Sequence, residues 1–142
     1  MENSNYPNCD YLNILHSDDG SISLAFYIEE DDILDLGDEM NEVCEDAYMN
    51  GYNWDAFLNY YLAQHAPDIL EDLQSDPEAG MYSAYYDCGG EENEKRMRRF
   101  ADIIMHLIEN KEEIFKILRE NGDEMRLCQN RHSLFLEICC KI

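Results

Sequence analysis

Carboxylates are the side chains of this sequence most obviously placed to do chemistry. Glu29-Glu30-Asp31-Asp32, followed by Asp35 and Asp38, puts six acids within ten residues, and dense carboxylates suit a hard cation such as calcium. An EF-hand loop needs oxygen ligands at positions 1, 3 and 5, glycine at 6 and glutamate at 12. With Gly37 as the sixth residue, Leu34 and Leu36 fall where ligands belong. With Gly51 there, Asp46, Tyr48 and Asn50 suit the loop but Phe57 takes the twelfth place. The motif fails in both frames. Loose cation binding by residues 29–32 stays open, but a solvated acidic loop is the plainer reading.

Zinc chemistry finds no better footing. His16, His65, His106 and His132 stand far apart, and no H-E-x-x-H or C-x-x-C occurs. The six cysteines, Cys9, Cys44, Cys88, Cys128, Cys139 and Cys140, are scattered apart from one adjacent pair, and neighbouring cysteines rarely bridge without strain. They read as reduced thiols. No G-x-S-x-G, P-loop or G-x-G-x-x-G appears. A Cys44–His65 pair stays possible, but with this many thiols and imidazoles chance pairings are cheap. Carboxylate pairs for glycoside hydrolysis are undiagnosable when every spacing is present. No catalytic residue, metal or cofactor is therefore expected.

Charge carries more information than any motif. The first 94 residues hold twenty-four Asp and Glu and no Lys or Arg, so the net charge of -22 belongs to that part of the chain. Residues 95–142 carry ten basic and eight acidic side chains. A field of this sign repels nucleic acid and anionic membrane and attracts basic proteins. The one basic cluster, Lys95-Arg96-x-Arg98-Arg99, reads either as counter-charge to nearby acids or as a partner contact. It is too small on so acidic a body to bind phosphate chains. No positive n-region with an apolar core opens the sequence and no apolar run approaches membrane-spanning length, so the expectation is a cytoplasmic protein off the membrane.

The elements that position these groups follow from periodicity. Residues 11–16 and 21–28 read as strands joined by Ser17-Asp18-Asp19-Gly20, and Ile22, Leu24, Phe26 and Ile28 alternate onto one face. After the acidic run, a helix carries Met40, Val43, Cys44, Ala47 and Tyr48 and stops at Asn50-Gly51. Asn53 is the expected cap of a second helix with the stripe Trp54, Phe57, Leu58, Tyr61 and Leu62, which Pro67 ends before a short turn. Residues 81–87 alternate as a third strand. A long helix is predicted over residues 93–121 on the stripe Met97, Phe100, Ile103, Ile104, Leu107, Ile108, Phe115 and Leu118. The prediction is an α+β fold in the order β-β-α-α-β-α, with helices on one face of a small antiparallel sheet of three or four strands. Residues 1–122 make one domain on this reading. Residues 123–142, with Leu134-Phe135-Leu136-Glu137-Ile138, form a tail that is either a fourth strand or an apolar segment.

What survives is binding. Ten tyrosines supply the residue type that dominates protein interfaces, although half or more are expected in the core. Tyr48 and Tyr52 lie near the helix junction, Tyr60 and Tyr61 on the second helix, and Tyr82, Tyr85 and Tyr86 on the third strand.

Two segments carry a resemblance. Ala47-Tyr48-Met49-Asn50-Gly51-Tyr52-Asn53-Trp54-Asp55-Ala56-Phe57-Leu58-Asn59-Tyr60-Tyr61-Leu62, followed by Asp76-Pro77-Glu78-Ala79-Gly80-Met81-Tyr82, resembles the bacterial polymorphic-toxin immunity proteins of the class immunity protein fifty-one, over about residues 22–121. The resemblance implies a small cytosolic α+β protein that is no enzyme and that binds and neutralises a cognate secreted toxin domain. It assigns no contact residues. Joined to the charge, it makes the expected partner a basic toxin domain, with neither nucleic acid nor membrane as a ligand. The expected contact residues are Glu29, Glu30, Asp31, Asp32, Asp35 and Asp38, with Tyr85 and Asp87 as secondary candidates. An acidic adaptor or nucleic-acid mimic for other basic proteins is the alternative. Oligomeric state is left open.

Overall fold

A computed structural model describes residues 3–5, 9–122 and 125. The expected tail over residues 123–142, including the segment 134–138 and Cys128, Cys139 and Cys140, lies outside the described residues apart from Met125.

The fold is α+β, with one five-stranded antiparallel sheet ordered β1-β2-β3-β5-β4. Its strands are β1 (Asn3–Asn5), β2 (Leu12–His16), β3 (Ile22–Phe26), β4 (Gln74–Ser75) and β5 (Tyr82–Tyr86). The helices are α1 (Asp31–Val43), α2 (Gly51–His65), α3 (Pro67–Leu70), α4 (Glu91–Glu109) and α5 (Lys111–Asn121). The three strands expected from alternation form the centre of the sheet, and two short strands extend its edges.

Alternation decides which face is covered. Leu12 and Ile14 of β2, Ile22, Leu24 and Phe26 of β3, and Tyr82, Ala84 and Tyr86 of β5 are all buried in one core with α2 and α4. Asn13, Ser23, Ser83 and Tyr85, one residue out of phase, are only half-buried. The register Leu24↔Ala84 places a small residue at mid-sheet, and Phe100 of α4 meets Tyr82 edge-to-face at 6.2 Å. Trp54 sits between Phe26 (5.0 Å) and Phe57 (5.9 Å), again edge-on, the geometry that aromatic quadrupoles prefer. The β2–β3 turn closes with Gly20 N–H donating to Ser17 O at 3.0 Å. Gly20 takes φ +92° there, a conformation that glycine adopts at little cost.

Three boundaries differ from the sequence reading. The first helix begins at Asp31, inside the acidic run, and ends at Val43, so residues 44–50 form a loop rather than its last turns. Ile33, Leu36, Gly37 and Met40 are its buried face; the acids occupy the remaining positions and had obscured that period. Asn50, not Asn53, caps α2, its side-chain oxygen accepting the Asn53 N–H at 2.9 Å, and Asn53 is fully buried. The long helix is two helices. Asn110, at φ −125° and ψ 57°, interrupts it, and its N–H is shared between the carbonyls of His106 and Leu107.

Candidate functional site

The acidic residues take their places from the β3–α1 junction. Beyond β3 the Tyr27 N–H donates to Tyr11 O at 2.8 Å, and the chain turns so that Glu30 O accepts from Ile33 and Leu34 at 2.9 Å each, opening α1. Asp31 and Asp32 stand in its first turn, where the helix dipole favours negative charge. Asp31, Asp35 and Asp38 share one exposed stripe by helical spacing, and Glu29 and Glu30 are exposed just before it. The structure thus brings together all six acids expected at the site.

Two open cavities meet at Glu29 and Glu30. One, of about 490 Å³, is lined by Cys9, Asp10, Tyr11 and residues 29–32. The other, of about 400 Å³, is lined by Tyr27, Glu29, Glu30, Glu78, Gly80 and Met81. Burial, then neighbouring Cys9, Glu109 and Asp32, pushes the Tyr11 phenol up to about 12. Burial likewise raises the Cys9 thiol, the opposite of what an activated sulfur nucleophile requires. Among the described residues no group of three or more His, Cys, Asp and Glu side chains is arranged to hold a metal ion. Cys44 lies beside Gly122, whereas His65 stacks on Tyr61 at 4.2 Å.

Tyr85 and Asp87 lie elsewhere. Phe26, which leads into the acidic run, pairs with Tyr82, while Ile22 pairs with Tyr86. Tyr85 and Asp87 therefore belong to the opposite end of the sheet. There Asp87 accepts from Gln74 Nε2 at 3.4 Å and borders a separate cavity of about 190 Å³. Tyr85 is half-buried on the face turned away from the core.

The basic cluster is bound up in the fold. Arg96 pairs with Glu92 at 3.1 Å, Arg98 with Glu94 at 2.8 Å and Arg99 with Asp68 at 2.6 Å. Of the two readings of that cluster, counter-charge is the one these pairs support.

The two segments that carry the resemblance meet in one joint. Gly51 N–H donates to Ala79 O at 3.1 Å, and a Cβ on Gly51 would overlap the carbonyl oxygens of Glu78 and Met81. Asn50-Gly51 and the 76–82 turn are thus halves of a single contact, and Trp54, one turn further along α2, is buried. The sequence matches the family described as immunity protein 51 over residues 12–123, from β2 to just past α5. The chain belongs to the immunity protein 51 family. No curated protein and no solved structure matches it. No helix among the described residues is long and apolar enough to cross a membrane.

The structure adds to this family member two features that periodicity did not disclose. Glu78 and Gly80 border the second of the two cavities, brought there by the Gly51 joint. Leu34 is 48% exposed beside the acidic stripe of α1; in the sequence it follows Ile33, and nothing marks it off from that buried neighbour.

Proposed function

We propose that this immunity protein 51 family member binds a cognate toxin domain and neutralises it by covering a basic, nucleic-acid-acting surface, without catalysing a reaction itself. The observation that carries the reading is the charge: twenty-four acids and no Lys or Arg before residue 95. Family membership supports a toxin as the partner, and the charge supports a basic one. Electrostatic attraction of this kind accelerates encounter and suppresses wrong partners. Glu29, Glu30, Asp31, Asp32, Asp35 and Asp38 would face the toxin, with Tyr85 and Asp87 as a second contact at the far end of the sheet.

A toxin domain encoded beside this gene would test the reading. Purified chain is expected to abolish its activity at a stoichiometric ratio. Replacing residues 29–32 by lysine should slow association and flatten its dependence on salt. A neighbouring toxin domain left fully active by the purified chain would refute the function. Unchanged association kinetics in the lysine variant would refute only the placement of the contact.

A further inference from the structure

We infer that the toxin is held by an apolar anchor, Leu34, Tyr48 and Tyr52, bordering the acidic stripe of α1, while the carboxylates of that stripe govern the rate of encounter. The inference rests on the immunity reading and adds to it where the complex gains its lifetime. Among the described residues these three are the large hydrophobic side chains left exposed, at 48%, 52% and 38%.

They come from three segments that follow one another, α1, the loop 44–50 and the first turn of α2, and the loop packs back on α1. Leu34 stands one helical turn before Gly37 on α1. A Cβ on Gly37 would lie 3.2 Å from Met49 Cβ, so the loop carrying Tyr48 packs against that face of the helix. Asn41, a further turn on, secures the loop by donating to Glu45 O at 3.0 Å and Ala47 O at 3.1 Å. Tyr52 follows Gly51, which the 78–81 turn clamps from the other side.

Around Leu34 stand Asp31, Asp35 and Asp38, and no ion pair among the described residues reaches them. The nearest lysine contact on α1 is Lys111 with Glu39, at 2.9 Å. Exposed apolar side chains bordered by carboxylates that no described Lys or Arg pairs with fit a surface of lysines and arginines. Their charged heads reach the acids, while aliphatic stems and guanidinium planes cover the leucine and the phenol rings. Tyrosine contributes large contact area at a small cost in side-chain entropy. Exposed carboxylates in such a rim change mainly the association rate.

The test is the binding kinetics of the full chain with an inactivated toxin domain encoded beside its gene. Leu34→Ser, Tyr48→Ser and Tyr52→Ser remove exposed groups, and unchanged melting curves would certify the fold. Each is expected to speed dissociation about ten-fold or more while leaving association and its salt dependence near those of the parent. Asp35→Asn with Asp38→Asn is expected to do the reverse. Anchor variants that dissociate at the parental rate would overturn the inference and leave the immunity reading standing. Failure of the unaltered chain to bind that domain would overturn both.

Discussion

Gly51 donates its backbone N–H to the carbonyl of Ala79, and the close approach of the two strands of chain leaves no room for a side chain at residue 51. The obstacles are the backbone oxygens of Glu78 and Met81, which a flexible neighbour cannot move aside. Gly51→Ala should therefore destabilise the fold by about 1–3 kcal/mol or more, as overpacking against a rigid wall does. Urea unfolding of the variant measures this. An alanine variant as stable as the parent would show that the 76–82 turn can lift off α2 freely.

Two tyrosines on β5 should respond differently to loss of their hydroxyls. The Tyr86 hydroxyl donates to Ile69 O in the interior. The Tyr82 hydroxyl is fully buried and meets no hydrogen-bond partner among the described residues. Tyr86→Phe leaves a buried carbonyl short of a donor and should cost about 1–2 kcal/mol. Tyr82→Phe removes an unpaired polar atom and should be neutral or stabilising. Chemical denaturation of both variants gives the ordering, and a larger loss for Tyr82→Phe would contradict the packing described.

These contrasts mark how far the sequence could be read. Alternation was enough to read residues 81–87 as a strand, because a strand's period is two whatever its partners are, but it was the packing that turned Tyr82 and Tyr86 inward and left Tyr85 half-buried. The stripe of α2 was equally plain from Trp54 to Leu62. Hydroxyl partners were not legible, since Ile69 reaches Tyr86 through tertiary packing alone. The start of α1 was hidden because Asp31, Asp32, Asp35 and Asp38 look like a solvated run, although Ile33, Leu36 and Met40 kept a helical period beneath them. Asn110 breaks the last helix with neither Pro nor Gly to announce it. The six acids of the run lie along the first turns of α1 and just before it. Tyr85 and Asp87 did not join them, because strand register sends them to the far end of the sheet. Leu34 and Glu78 were missed because exposure and long-range contact leave no periodic trace.

The contact of His16 Nε2 with Glu94 Oε1, 2.6 Å apart, ties β2 to the first turns of α4. Hydrogen bonding from His16, with help from Arg98, holds the Glu94 carboxyl below its ordinary value of 4.5. A carboxylate depressed in the folded state contributes stability that is present above the ordinary value and is lost as pH falls through the folded one. Glu94→Gln should consequently lose less stability than the parent on acidification below about pH 4.5. At neutral pH its deficit should be about 1 kcal/mol or less, because both side chains are partly solvated. Urea midpoints of the two chains between pH 7 and about pH 3 measure this. Parallel curves would show that the pair contributes nothing to acid sensitivity.

Salt should stabilise this fold. Its net charge of -22 arises from twenty-four acids and no Lys or Arg before residue 95, so like charges outnumber their counter-charges across the folded chain. Raising ionic strength from about 0.01 M to 1 M shortens the screening length from about 30 Å to about 3 Å. The opposing loss is small: Arg99–Asp68 and Lys111–Glu39 are about half-exposed ion pairs, and such pairs contribute about 1 kcal/mol or less each. Relief of repulsion should outweigh them, and Tm should rise with NaCl and equally with choline chloride. A rise confined to one cation would instead point to specific ion binding. Asp35→Asn with Asp38→Asn should reproduce part of the gain at low salt and flatten the salt dependence. Asp31 is the wrong residue for that comparison, because in the first turn of α1 it also gains about 0.3–1 kcal/mol from the helix dipole. A melting temperature that falls with salt would show that the ion pairs outweigh the crowded carboxylates.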